Sequence, residues 1–155
     1  MRLLAAALFL FTLQAVAKDG IEVHAAWSRA TPPGAKVAVG YMEIRNTGSR
    51  PDRLVGASTP VAKHVEMHIT RREGEVMRMR QVKDFEIPPR GSITLAPGGS
   101  HLMLVETIRP LEKGERFPMR LRFERAGELD IELEVQERGS RHPRHRSSAP
   151  GTRHL

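Results

Sequence analysis

Short stretches in which apolar and polar residues alternate make up most of this chain, and turn residues separate them. Ile21, Val23, Ala25 and Trp27 alternate with more polar neighbours before Thr31-Pro32-Pro33-Gly34 turns the chain. Val37, Val39 and Tyr41 lead in the same way to a second turn at Asn46-Thr47-Gly48. The series continues through Arg53–Ala57, Val65–Ile69, Val76–Val82, Ser92–Leu95, Leu102–Val105, Met119–Phe123 and Leu129–Val135. Pro88-Pro89-Arg90-Gly91, Pro97-Gly98-Gly99 and Ala126-Gly127 punctuate it. No segment shows a convincing helical period. Strands at this spacing predict an all-β fold, an antiparallel β-sandwich rather than βαβ units.

The two ends depart from this pattern. Met1-Arg2 is a short positive start, Leu3–Leu13 is an apolar run, and Ala15-Val16-Ala17 is an A-x-A cleavage signal. These features predict a secretory signal over residues 1–17, cut after Ala17, and a mature chain beginning at Lys18. The run is too short for a comfortable membrane span, and nothing later resembles one. Residues 136–155, QERGSRHPRHRSSAPGTRHL, hold five Arg, three His and a single large apolar residue, Leu155. Such a composition predicts a disordered basic tail, because it buries too little surface to fold. The domain proper is then 18–135.

Charge changes meaning once it is divided this way. The chain of 155 residues carries a net +7, which taken alone suggests a nucleic-acid or anionic partner. Arg2 and the tail account for +5 of it, leaving +2 on the folded part. No basic groove studded with aromatics accompanies that small excess, so no nucleic acid is expected.

Enzymatic machinery is not visible either. The chain has no GxGxxG after a strand, no P-loop, no GxSxG elbow and no HExxH. It has no cysteine, which excludes disulfides, zinc ribbons, iron–sulfur clusters, cysteine nucleophiles and thiol-linked lipid. A stable metal site must come from His, Met, Asp or Glu. Several of these stand together in the middle third. His68 lies on the strand face opposite Val65, Met67 and Ile69. Met77 and Met79 share a face opposite Arg78 and Arg80. His101 and Met103 share a face two residues apart, starting about 7 Å from each other. Met42, Met67 and Met119 read as core, and His24 and His64 as surface or structural. Thioether is soft and imidazole borderline, so His68, Met79, His101 and Met103 suit Cu(I) better than zinc, iron or calcium. Met77 is a further candidate ligand or rim residue. Without a thiolate the site is no blue-copper centre; weak neutral donors suit carrying and releasing the ion.

The spacing sharpens this. His68, Met79, His101 and Met103 form H-x10-M-x21-H-x-M, the motif of the periplasmic copper chaperones called PCuAC, which this chain resembles over roughly residues 21–135. Ala26-Trp27-Ser28-Arg29-Ala30-Thr31-Pro32-Pro33-Gly34, Gly40-Tyr41-Met42, Arg45-Asn46-Thr47-Gly48, Pro51-Asp52-Arg53-Leu54 and Val76-Met77-Arg78-Met79 look like that family. So do Leu95-Ala96-Pro97-Gly98-Gly99, Arg109-Pro110-Leu111 and Phe123-Glu124-Arg125-Ala126-Gly127. The resemblance implies a cupredoxin-like or immunoglobulin-like Greek key in the periplasm. It implies Cu(I) on the four residues and delivery to the CuA domain of cytochrome c oxidase or to a Sco-type protein. Members often carry a Met just after the first His, where this chain has Ile69-Thr70. Some bind a second copper, as Cu(II), in a C-terminal extension; here His142, His145 and His154 are the candidates. Two rivals stay open: periplasmic copper sequestration or resistance, and a non-metal adhesion or scaffold sandwich.

Overall fold

The computed structural model describes residues 16–137, and every regular element among them is a β-strand. In chain order these are β1 (Val16–Lys18), β2 (Ile21–Arg29), β3 (Val37–Asn46), β4 (Asp52–Ser58), β5 (Ala62–Glu73) and β6 (Val76–Val82). β7 (Phe85–Ile87), β8 (Ser92–Leu95), β9 (His101–Thr107), β10 (Arg116–Phe123) and β11 (Gly127–Gln136) complete the set. The all-β expectation holds. Two strands are not legible in the alternation, β1 and β7, because three residues are too few to establish a period. The expected cut after Ala17 falls inside β1.

Hydrogen bonding links the strands in the order β6-β5-β9-β3-β2-β11-β10-β4-β7, with β1 joined to β2 and β8 to β3. The continuous sheet curls over on itself, so that β4 packs against β5, and β7 against β3 and β8, without ladder bonds. All pairings are antiparallel except one: β11 runs parallel to β2, from Glu134 opposite Trp27 to Gln136 opposite Arg29. β2 makes this turn from one layer to the other by a bulge. Its register with β3 shifts between His24 and Trp27, where Ala25 takes a φ of 50°. An extra residue in one strand bends it and re-aims the side chains beyond the bend.

The core lies between the layers and explains the alternation directly. β10 and β11 bury every second residue: Phe117, Met119, Leu121 and Phe123 face Leu129, Ile131, Leu133 and Val135. Their other face carries charge in cross-strand register, Arg116 opposite Glu134 and Arg120 opposite Asp130. Met67 and Met119 are core residues on the faces the alternation assigns them. Met42 is core as well, but with Ala38 and Ile44 on the face opposite the Val37, Val39 and Tyr41 series, and Val37 itself is 44% exposed. Gly40 permits close packing at the centre of β3, where an added Cβ would stand 3.3 Å from Leu133 Cδ2.

One hairpin leaves this frame. β5 pairs with β9 only as far as His68, whereas its ladder with β6 runs on to Glu73 opposite Val76. The far half of β5 and β6 therefore form a two-stranded arm, and every residue from Arg71 to Gln81 is exposed.

Candidate metal centre

His68 stands directly opposite His101 on the last rung shared by β5 and β9, at the root of the arm. Side chains of cross-strand partners leave the same face of the sheet with Cβ atoms about 4.5–5.5 Å apart. The imidazoles accordingly lie side by side, ring centroids 5.6 Å apart and planes 23° from parallel. Both are buried, at 8% and 6% exposure.

The loop before β9 fixes the second ring. Gly98 has a φ of 83°, a left-handed conformation that glycine enters without a Cβ penalty. The tight turn, closed by Gly99 N donating to Ala96 O at 3.0 Å, aims the Gly99 carbonyl inward. That oxygen accepts from Thr70 N at 3.3 Å and from His101 Nδ1 at 3.1 Å. A neutral imidazole that donates through Nδ1 keeps a bare lone pair on Nε2. Burial pushes the His101 pKa below its ordinary value; the Gly99 hydrogen bond opposes this and His68 adds to it. Neutral imidazole is the metal-binding form.

His68 is held the other way round. Its Nε2 lies 2.8 Å from Glu66 Oε2, and an ionised carboxylate only accepts, so the proton sits on Nε2. Donation from His68 is the main reason the Glu66 carboxyl titrates below its usual range. The remaining nitrogen, Nδ1, is buried with no hydrogen-bond partner. A buried polar atom without a partner is uncommon and costly, and a bound cation is one thing that satisfies it.

The methionines flank this pair. Met103 lies one strand repeat beyond His101, about 7 Å along, and faces Glu66 across the ladder. Met79 faces Thr70, one rung outward on the neighbouring strand. Strand rise and spacing put its Cα about 8 Å from that of His68. Met79 is 56% exposed, whereas Met103 is half-buried. His68, Met79, His101 and Met103 thus occupy one face over three successive rungs. Met77 lies opposite Arg72, one rung further out again, while Arg78 and Arg80 occupy the other face of the arm. Among the described residues, no three His, Cys, Asp or Glu side chains are grouped to hold a metal. The further soft donors available on this face are the thioethers.

Two residues around the pair have no functional role on sequence grounds. In sequence, Glu66 is one more acid on the polar face of its strand, and its two-residue spacing from His68 is the signal that could have singled it out. His64, expected to be surface or structural, is exposed and contacts Glu66 Oε1 at 3.3 Å. His24 sits apart on β2 with Glu22, 3.1 Å away. His142, His145 and His154 lie outside the described residues.

A curled all-β sheet with paired histidines and two methionines on one face has the form of a cupredoxin-like domain with a soft-donor candidate site. The chain belongs to the LpqE-like family of proteins described as lipoproteins, whose model matches residues 21–135, and its domain is of the PCuAC type. A protein of Leifsonia xyli subsp. xyli described as a lipoprotein, Lxx21020, is 34% identical over 120 residues, covering 77% of this chain and 71% of the relative. Among solved structures, the copper-bound PCuAC domain from PmoF2 superposes with a TM-score of 0.71 at 32% identity, covering 81% of this chain and 100% of that domain. The CuI-DR1885 solution structure from Deinococcus radiodurans gives 0.62 at 31% identity, covering 80% of this chain and 81% of that one. The lipoprotein description is the relatives' own: these 155 residues contain no cysteine to carry a lipid.

Proposed function

We propose that this protein is an exported copper metallochaperone that carries Cu(I) as cargo on His68, Met79, His101 and Met103. One observation carries the reading: two buried imidazoles side by side, one with an unpartnered Nδ1, on a face whose neighbouring rungs hold thioethers. Neutral nitrogen and sulfur donors stabilise Cu(I) without adding charge, and Met needs no deprotonation to bind. The copper carried by the PmoF2 domain and by DR1885 supports the same cargo here.

The division between buried and exposed donors fits delivery. His68 and His101 sit under the rim, whereas Met79 stands on the arm where an acceptor can reach it and exchange ligands one at a time. The acceptor we favour is the CuA domain of cytochrome c oxidase or a Sco-type protein outside the inner membrane. Export into the periplasm agrees with the lipoprotein description of the family and with the A-x-A signal at Ala15–Ala17. No helix among the described residues is long and apolar enough to cross a membrane.

Titrating the protein with Cu(I) against a competing chelator tests the assignment. One equivalent is expected to bind tightly, and the fourfold variant His68→Ala, Met79→Ala, His101→Ala, Met103→Ala is expected to lose it. Tight binding retained by that variant would sink the proposal. Copper transfer to an apo CuA domain then separates delivery from sequestration, which predicts binding without transfer.

A further inference from the structure

The sequence assigns four residues to copper; the fold adds a fifth to the same cluster. Glu66 lies on the His68 face of β5, one repeat away, and is the cross-strand partner of Met103. Its two carboxylate oxygens are divided between two imidazoles. Oε2 takes the His68 Nε2 proton at 2.8 Å, and Oε1 lies 3.3 Å from His64 Nε2. Glu66 itself is half-buried, so solvent competes only partly for these contacts.

The consequence falls on His68. A neutral imidazole has one protonated and one bare nitrogen, and the hydrogen bond made by one decides which the other is. With Nε2–H committed to Glu66, Nδ1 must be bare, and that is the atom the fold buries without a partner. Were the proton to sit on Nδ1, an N–H would be buried unpaired and the lone pair would face a carboxylate. Both effects disfavour that tautomer. His101 has the opposite arrangement, its Nδ1–H bound to the Gly99 carbonyl. Two unlike acceptors thus set two unlike tautomers in one pair of stacked rings.

We infer that Glu66 is a positioning residue for copper: it locks His68 in the tautomer and orientation that present Nδ1 as the donor atom, and His64 steadies the carboxylate from its solvent side. The inference rests on the copper reading above and goes beyond it, since Glu66 need not touch the ion. Partners of this kind raise the basicity of a ligating imidazole as well as orienting it. Losing one typically costs about 10–100-fold in metal affinity.

Two measurements on the exported form of the chain test it. Long-range ¹H–¹⁵N NMR of the metal-free protein at neutral pH reads the tautomer of each histidine without copper. His68 is expected to carry its proton on Nε2, and His101 on Nδ1. In Glu66→Ala the His68 preference should disappear while the amide spectrum of the sheet and the His101 tautomer persist. Cu(I) affinity should then fall about 10–100-fold. Glu66→Gln, whose amide oxygen still accepts, should restore the tautomer and most of the affinity. Should Glu66→Ala fold poorly, Glu66→Val keeps a strand-favouring residue there and makes the same test. A His68 tautomer unchanged in the Ala or Val variant overturns the inference, and so does a changed tautomer with wild-type affinity. If His68→Ala binds Cu(I) as the parent does, the copper site itself is wrong, and the metal-free tautomers show separately whether Glu66 orients the ring.

Discussion

At the scale of single residues, the site depends on position along the rungs more than on residue type. Met77 and Met79 have the same chemistry, the same face and similar exposure, 54% and 56%, yet Met79 is one rung from the histidines and Met77 two. Removing a true donor should weaken Cu(I) binding by at least about tenfold, or about 1.4 kcal/mol. Met79→Ala and Met103→Ala are each expected to do so in a chelator competition, while Met77→Ala leaves affinity within about twofold. The four ligand candidates are legible in the sequence because two-residue strand periodicity and fixed spacing both point to them. Glu66 is not, since a lone acid on a strand reads as part of a solvated face until the fold shows which imidazole it faces.

At the scale of elements, a turn and a sheet layer do separate work. The Gly98 turn holds the carbonyl of Gly99 between Thr70 and His101. A Cβ on Gly98 would meet nothing within 4 Å, so Gly98→Ala should cost only the left-handed conformation. That is about 1–2 kcal/mol, read as a lower denaturation midpoint. Part of the loss should also appear as weaker Cu(I) binding, because the His101 acceptor moves with the turn. Leu121 is fully buried in β10, a strand that pairs with β11 and β4 and not with β5, β6 or β9, which carry the candidate donors. Leu121→Ala should cost about 2–5 kcal/mol in chemical denaturation, while a variant that still folds keeps its copper affinity. The β10–β11 alternation announces itself in sequence. The short β7 does not, for it is held by long-range contacts: a ladder with Asp52–Leu54 of β4 and burial of Phe85 and Ile87 in the core.

At the scale of the whole molecule, copper and fold should be linked. The proposed donors come from β5, β6 and β9, which meet only in the folded sheet, so an ion bound there would stabilise the native state by mass action. At a free Cu(I) concentration one hundred times its Kd this amounts to about 2.7 kcal/mol. A rise in Tm is therefore expected for the parent, and none for the fourfold variant. Removing residues 138–155 should leave this Cu(I) stabilisation intact. If the histidines there form a second site, the same truncation removes Cu(II) binding alone.

Periodicity, turn residues and the missing cysteine determined the all-β class and the faces of strands such as β10 and β11, and narrowed the candidate soft donors to His and Met, because each depends on local spacing or on side-chain type. They also divided the charge, assigning most of the +7 to the chain ends and little to the domain. Only the tertiary structure decided that β11 pairs parallel with β2, that His68 and His101 share a rung, and which ring nitrogen each one leaves bare. Those are matters of register between strands far apart in the chain. A ladder shifted by one residue would keep every local pattern yet separate the two imidazoles.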